Sequence, residues 1–199
     1  MIDNIRYYSL KQYTFVDTND IEPGSIEDLV LSPDTLEPTH LILGAGFFEE
    51  FMEDIGNKEN IDEIAELSKM EMKHDIVYLN EQLEDLIRTN KDGSLPFDGI
   101  LFSHIREFEI YDNNIMHDAE IHDLLIAKPS ALIIQSQNLQ KEMKLKGYKQ
   151  KLEMIIPLTK VKFDEKNNII RVLFDLDDII AKIEQEIEPR YSGKSLIQL

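Results

Sequence analysis

Residues 8–31 read YSLKQYTFVDTNDIEPGSIEDLVL, and residues 103–126 read SHIREFEIYDNNIMHDAEIHDLLI. At an offset of 95 the two stretches align without a gap, and their apolar positions coincide almost throughout. Leu10, Phe15, Ile21, Val30 and Leu31 fall on Ile105, Ile110, Met116, Leu125 and Ile126, while Asp17, Asn19, Ile26, Asp28 and Leu29 are identical to Asp112, Asn114, Ile121, Asp123 and Leu124. A match of this kind means one structural unit used twice. It continues outward. Residues 39–72 match 130–163 at an offset of 91, where Leu41, Ile42, Met52, Gly56, Lys58, Ile64, Leu67 and Lys69 recur. Ile76, Leu83, Asp85 and Ile87 then return at an offset of 93 as Ile169, Leu176, Asp178 and Ile180. The repeat holds 17 identities over 71 aligned positions, and both changes of offset fall in turn-like segments.

Each copy reads mainly as short strands. Ser25–Leu31, a proline-bracketed turn over 32–38 and Thr39–Leu43 predict a hairpin. Residues 155–163 and 169–174 predict two more strands joined by the turn residues Asp164–Asn168, with partners at 65–72 and 76–79 in copy one. A short helix is expected after each set of strands, over Asn80–Ile87 and Asp175–Ile187, the second with Leu176, Ile179, Ile180, Ile183 and Ile187 at helical spacing. Arg88–Gly99 holds Gly93, Pro96 and Gly99 and reads as non-regular chain. The expected organisation is a first domain over 1–88, a linker over 89–101, a second domain over 102–188 and a tail over 189–199.

The chain has 199 residues, 42% of them hydrophobic, which is enough to bury a core. Its net charge of −18 repels phosphate backbones and argues against nucleic-acid partners. Without cysteine there are no disulfides, thiolate catalysis or cysteine-ligated metals. Neither a secretory signal nor a stretch of about 20 apolar residues can be found, so the expectation is a cytoplasmic protein with no transmembrane segment.

The stretches 8–17, Gly24–Leu31, Thr39–Gly44 and Ala65–Met70, with Ile121–Ile126 and Ile156–Thr159 in copy two, resemble the PRC-barrel family. That family shows an opening strand ending in aspartate, a strand of the form G-x-V/I-x-D-L-V-L, a T-H-L-V-V-G strand and a V/I-P-L-S approach to the last strands. Gln12 and Glu107 stand where its members usually carry glycine. The resemblance implies a mainly β chain of two tandem small PRC-type β-barrels, each followed by a short helix. It further implies a non-enzymatic protein–protein adaptor or assembly scaffold, of the kind that serves archaeal cell division. The alternatives are a ribosome or RNA-processing maturation partner, and a small-molecule or metal-binding enzyme at the barrel interface.

The charge divides along the repeat. Residues 1–99 carry a net −16 and residues 100–199 a net −2. The difference concentrates where FFEEFMED (47–54) aligns with NLQKEMKL (138–145), so that Glu50 and Glu53 face Lys141 and Lys144 in the alignment, and Lys146 and Lys149 continue the basic run. Opposite sign at matching positions favours contact between unlike copies. Glu50, Glu53, Lys141, Lys144, Lys146 and Lys149 are therefore candidate partner-binding residues for self-association. The competing reading is two solvated faces. Phe47, Phe48 and Phe51 add a candidate aromatic patch to copy one, against the commoner reading of such a stripe as core.

His117 and His122 each precede an aspartate and fall in the second strand of copy two and the turn before it; a spacing of five would place them on opposite faces of a continuous strand, which argues against a metal pair. Asp123 matches Asp28 in a copy without those histidines, which gives it a structural reason. Gly44-Ala45-Gly46 lacks the third glycine and the acidic residue of a dinucleotide loop. No nucleophile-and-base order or paired carboxylates stand out, so no catalytic residue, metal or cofactor is expected.

Overall fold

The computed structural model describes residues 2–44, 62–112, 115–145, 153–175 and 197–198. The chain is mainly β. Its first half runs β1 (Ile5–Arg6), α1 (Tyr7–Leu10), β2 (Thr14–Val16), β3 (Ile26–Leu31), β4 (Pro38–Leu43), β5 (Glu63–Glu66), β6 (Met70–Lys73), β7 (Ile76–Leu79) and β8 (Ile87–Arg88). The second half runs β9 (Ile100–Leu101), α2 (Phe102–Ile105), β10 (Glu109–Asp112), β11 (Ile115–His117), β12 (Ala119–Ile126), β13 (Ala131–Ser136), α3 (Gln137–Leu145), β14 (Met154–Pro157), β15 (Val161–Asp164), β16 (Ile169–Val172) and β17 (Ile197–Gln198). Two compact units result, one from residues 1–103 with 125–130 and the other from 104–124 with 131–199.

In the first unit the sheet order is β2-β7-β6 in one sheet and β8-β5-β4-β3-β9 in another. The second unit holds β11-β10-β16-β15 and a sheet in which β12, β13, β14 and β17 follow one another. All four sheets are open among the described residues, and no closed barrel is found. The period-two burial of β7, β10 and β16 gives each one buried face, whereas β13 is buried at every position, so that both of its faces are covered.

The strand registers follow the sequence repeat residue by residue. Leu41↔Ala65 and Ile42↔Ile64 between β4 and β5 return as Leu132↔Ile156 and Ile133↔Ile155 between β13 and β14, each residue 91 positions further on. The parallel pair Phe15↔Val77 returns as Ile110↔Ile170, and the antiparallel pair Met72↔Val77 as Phe163↔Ile170. Core side chains recur with them: Leu10 and Ile105, Leu29 and Leu124, Leu41 and Leu132, and Val77 and Ile170 are all fully buried. Within the first unit, β9 pairs with β3 through Leu31↔Ile100, and β1 pairs with the end of β12 through Ile5↔Ile126. Gly99 leads into β9 where a Cβ would come within 2.6 Å of Val30 Cγ1, so the chain needs glycine to approach β3.

The two identical aspartate pairs have structural reasons. Asp17 is buried, and its Oδ1 accepts the backbone N–H of Asn19 at 2.7 Å and of Ile21 at 2.8 Å, while Oδ2 accepts that of Leu83 at 3.2 Å. Asp28 Oδ1 accepts the N–H of Leu29 at 2.8 Å beside a register shift in β3, and Asp123 does the same for Leu124 at 2.8 Å. Each carboxylate satisfies a backbone donor that the ladder leaves over.

Three sequence expectations meet a different outcome. In place of a helix over Asn80–Ile87 there is a single 3-10 turn at Leu83–Asp85, followed by β8. Eight residues are too few for a stable helix without tertiary support. Here Asp17 takes the Leu83 N–H, and β5 takes Ile87 and Arg88 into its ladder. The expected linker is partly regular: Thr89 is buried against Asp62, Asn90 and Ser94 close a turn with Gly93 at φ +80°, and Ile100–Leu101 form β9. His117, expected in the turn before the second strand, lies on a strand of its own, β11, separated at Asp118 from His122 on β12. The expected helix over Asp175–Ile187 falls almost wholly outside the described residues.

Glu63 is one place where the copies part. It is buried in β5, where copy two has the buried Met154. Burial pushes the Glu63 carboxyl up from the ordinary glutamate value of 4.5; Arg88, 3.9 Å away and half exposed, pulls it down, and Asp62 raises it further. A raised folded-state value means stability fully present below pH 4.5 and lost as pH rises through the folded value. Glu63→Met should therefore stabilise the first unit at neutral pH by about 1 kcal/mol, as replacing a poorly compensated buried charge does. The gain over wild type should vanish in urea titrations well below pH 4.5; a substitution that destabilises at neutral pH contradicts this reading.

Candidate interaction surfaces

Of the candidate partner-binding residues, Phe47, Phe48, Glu50, Phe51, Glu53, Lys146 and Lys149 lie outside the described residues. Lys141 and Lys144 lie inside. Both are exposed on α3, and a separation of three places them on one helix face. α3 follows β13 directly, so a fully buried strand anchors a helix that ends at Leu145, itself 88% exposed. Two ammonium groups beside an exposed apolar side chain suit an acidic partner with an apolar residue among its charges. Sequence periodicity alone does not reveal Leu145 as exposed, because its outward position depends on where α3 starts.

The first unit carries a half-open cleft of about 390 Å³. Ile2, Pro38, Leu67, Ile126 and Pro129 give it an apolar floor, and Asp3, Glu37, Ser68 and Lys128 stand on its polar side. Pro38 and Pro129 are 91 residues apart, so the cleft lies where the hairpin turns of both copies have the same origin. Glu37 is held in place by the Ser130 N–H, 3.3 Å from its Oε1. The turn before it is set by Leu36 in a left-handed conformation, with Ser32 N–H donating to the Glu37 carbonyl at 2.9 Å. Sequence reading missed this cleft, since Ile2, Leu67 and Ile126 come together only in the folded unit.

The histidines serve several local purposes. His117 Nε2 lies 2.5 Å from Asp112 Oδ1, both side chains nearly buried. His122 Nε2 is 3.9 Å from Glu153 Oε1, and that oxygen also accepts from Gln135 Nε2 at 3.2 Å. His40 is a strand residue whose ring lies 4.8 Å from that of Phe97; burial holds its imidazole below the ordinary histidine value, with Glu66 opposing and Lys69 adding to the effect. Among the described residues no three His, Asp or Glu side chains are arranged to hold a metal ion, and no helix is long and apolar enough to cross a membrane.

The sequence matches no known family model, and no curated protein matches it either.

Proposed function

We propose that this chain is a cytoplasmic, non-enzymatic adaptor of tandem PRC-barrel type, an assembly scaffold of the sort used in archaeal cell division. The observation that carries the reading is one strand framework used twice with unlike surfaces. Lys141 and Lys144 are exposed on α3, at positions aligned with Glu50 and Glu53 of the acidic copy. Two copies of one scaffold with different charge take different neighbours, which is what an adaptor needs. The PRC-like stretches 8–31 and 39–43 support the family assignment.

Charge reversal tests the pairing of unlike copies. Lys141→Glu with Lys144→Glu should lower the mass-average molecular weight in sedimentation equilibrium at low salt, and adding Glu50→Lys with Glu53→Lys should restore it. An unchanged mass in both variants removes acidic–basic self-association from the proposal. Raised salt should weaken wild-type association, since exposed charges separated by more than about 10 Å are screened at 0.1 M.

A further inference from the structure

The outer edge of the same strand takes an additional strand in each copy. In copy one, β5 pairs antiparallel with β8 through Glu63↔Arg88 and Ile64↔Ile87. The residues 91 positions further on, Met154 and Ile155 of β14, pair instead with the C-terminal β17, in parallel, through Met154↔Ile197 and Ile155↔Gln198. The acceptor positions are equivalent in the two copies, with Met154 in place of Glu63, while the donor differs in origin and direction. β8 follows β6 and β7 in the chain, whereas β17 lies beyond residues 176–196, which separate it from the preceding described segment.

An open strand edge presents N–H and C=O groups that any extended segment can satisfy, because the bonds run through the main chain. Two parallel residue pairs are a small contact, and parallel pairing is slightly weaker per residue than antiparallel. Its covalent attachment to the rest of the chain adds to that contact, because it keeps the strand at a high effective concentration beside the edge. We infer that the outer edge of β14 is a strand-exchange site, at which the C-terminal strand of a second copy replaces the chain's own β17. The occupant is a second copy because that strand already fits the edge in a defined register, and the same main-chain groups are satisfied whichever molecule supplies it. Each chain then has one acceptor and one donor. A reciprocal exchange closes a dimer, and a one-way exchange propagates head to tail. This inference is independent of the charge pairing proposed above.

The test uses the full chain and a fluorescein-labelled peptide of residues 192–199. In the double variant Ile197→Pro, Gln198→Pro, both tail residues lose their N–H and can no longer pair. Fluorescence anisotropy, recorded at high salt so that charge-driven association is screened, should show the peptide binding the variant at least about tenfold more tightly than wild type, whose tethered tail competes. A peptide carrying the same two prolines should not bind. In hydrogen exchange the variant should lose protection at residues 154–156 and regain it when the unmodified peptide is added. No binding to the variant, or equal binding to variant and wild type, overturns the proposal.

Discussion

Leu41→Ala and Leu132→Ala should each cost about 3 kcal/mol, and by closely similar amounts, for removing a fully buried leucine typically costs about 2–5 kcal/mol. Both side chains are 0% exposed. Both lie on central strands, Leu41 on β4 between β3 and β5, Leu132 on β13 between β12 and β14. They stand 91 residues apart and face equivalent partners, Ala65 and Ile156. The loss combines the transfer energy of the missing methyl groups with the cavity left in a sheet held on both sides. Urea unfolding followed by circular dichroism measures it. Leu145→Ala, at an 88% exposed position, should stay within about 0.5 kcal/mol of wild type. A cost below about 1 kcal/mol at either Leu41 or Leu132 would contradict its central place in the sheet.

Asp17→Ala should cost about 2–4 kcal/mol. It strands the N–H groups of Asn19, Ile21 and Leu83, and an unmet buried donor costs about 1–3 kcal/mol, of which the two more exposed donors recover part from water. Burial alone would raise the Asp17 carboxyl; the N–H donors of Ile21, Leu83 and Asn19 outweigh it and hold it below the ordinary aspartate value of 3.8. A depressed folded-state value contributes stability that is present above pH 3.8 and is lost as pH falls through the folded value. The gap between wild type and Asp17→Ala should therefore be full at neutral pH and narrow in acid. Asp17→Asn, which keeps one acceptor oxygen, should cost less. A pH-independent gap would mean that the carboxylate charge has no part in holding the turn.

Legibility from sequence differed between elements for physical reasons. The strands could be read because several, β7, β10 and β16 among them, bury one face with period two, and because the apolar set recurs at fixed offsets, Leu41 with Leu132 and Ile42 with Ile133. The turn at Asp164–Asn168 could be read because its chemistry is local: Asp164 accepts the Asn167 N–H and Asn168 takes the left-handed conformation. The helix expected at Asn80–Ile87 is replaced by a 3-10 turn and a strand, because Asp17 and β5 take backbone groups of that segment. Neither competitor is near in the chain.

The interaction surfaces were only half legible. Charge is a property of composition, so the acidic and basic copies could be told apart at once; Lys141 and Lys144 are exposed, while Glu50 and Glu53 lie outside the described residues. The cleft of the first unit could not be read, because Ile2, Leu67 and Ile126 are brought together by packing and not by spacing.

By itself the sequence determined that the chain is a doubled, mainly β framework with its charge on one copy, because period, offset and composition are carried by the residues themselves. Only the tertiary structure decided which strand edges meet. The first strand of each copy pairs with a strand of the other, Ile5 with Ile126 and Ile100 with Leu31, and the C-terminal strand lies beside β14 where β8 serves β5. Backbone pairing leaves no mark in side-chain type, since every residue but proline offers the same N–H and C=O. An edge therefore accepts whichever strand the folded chain brings to it.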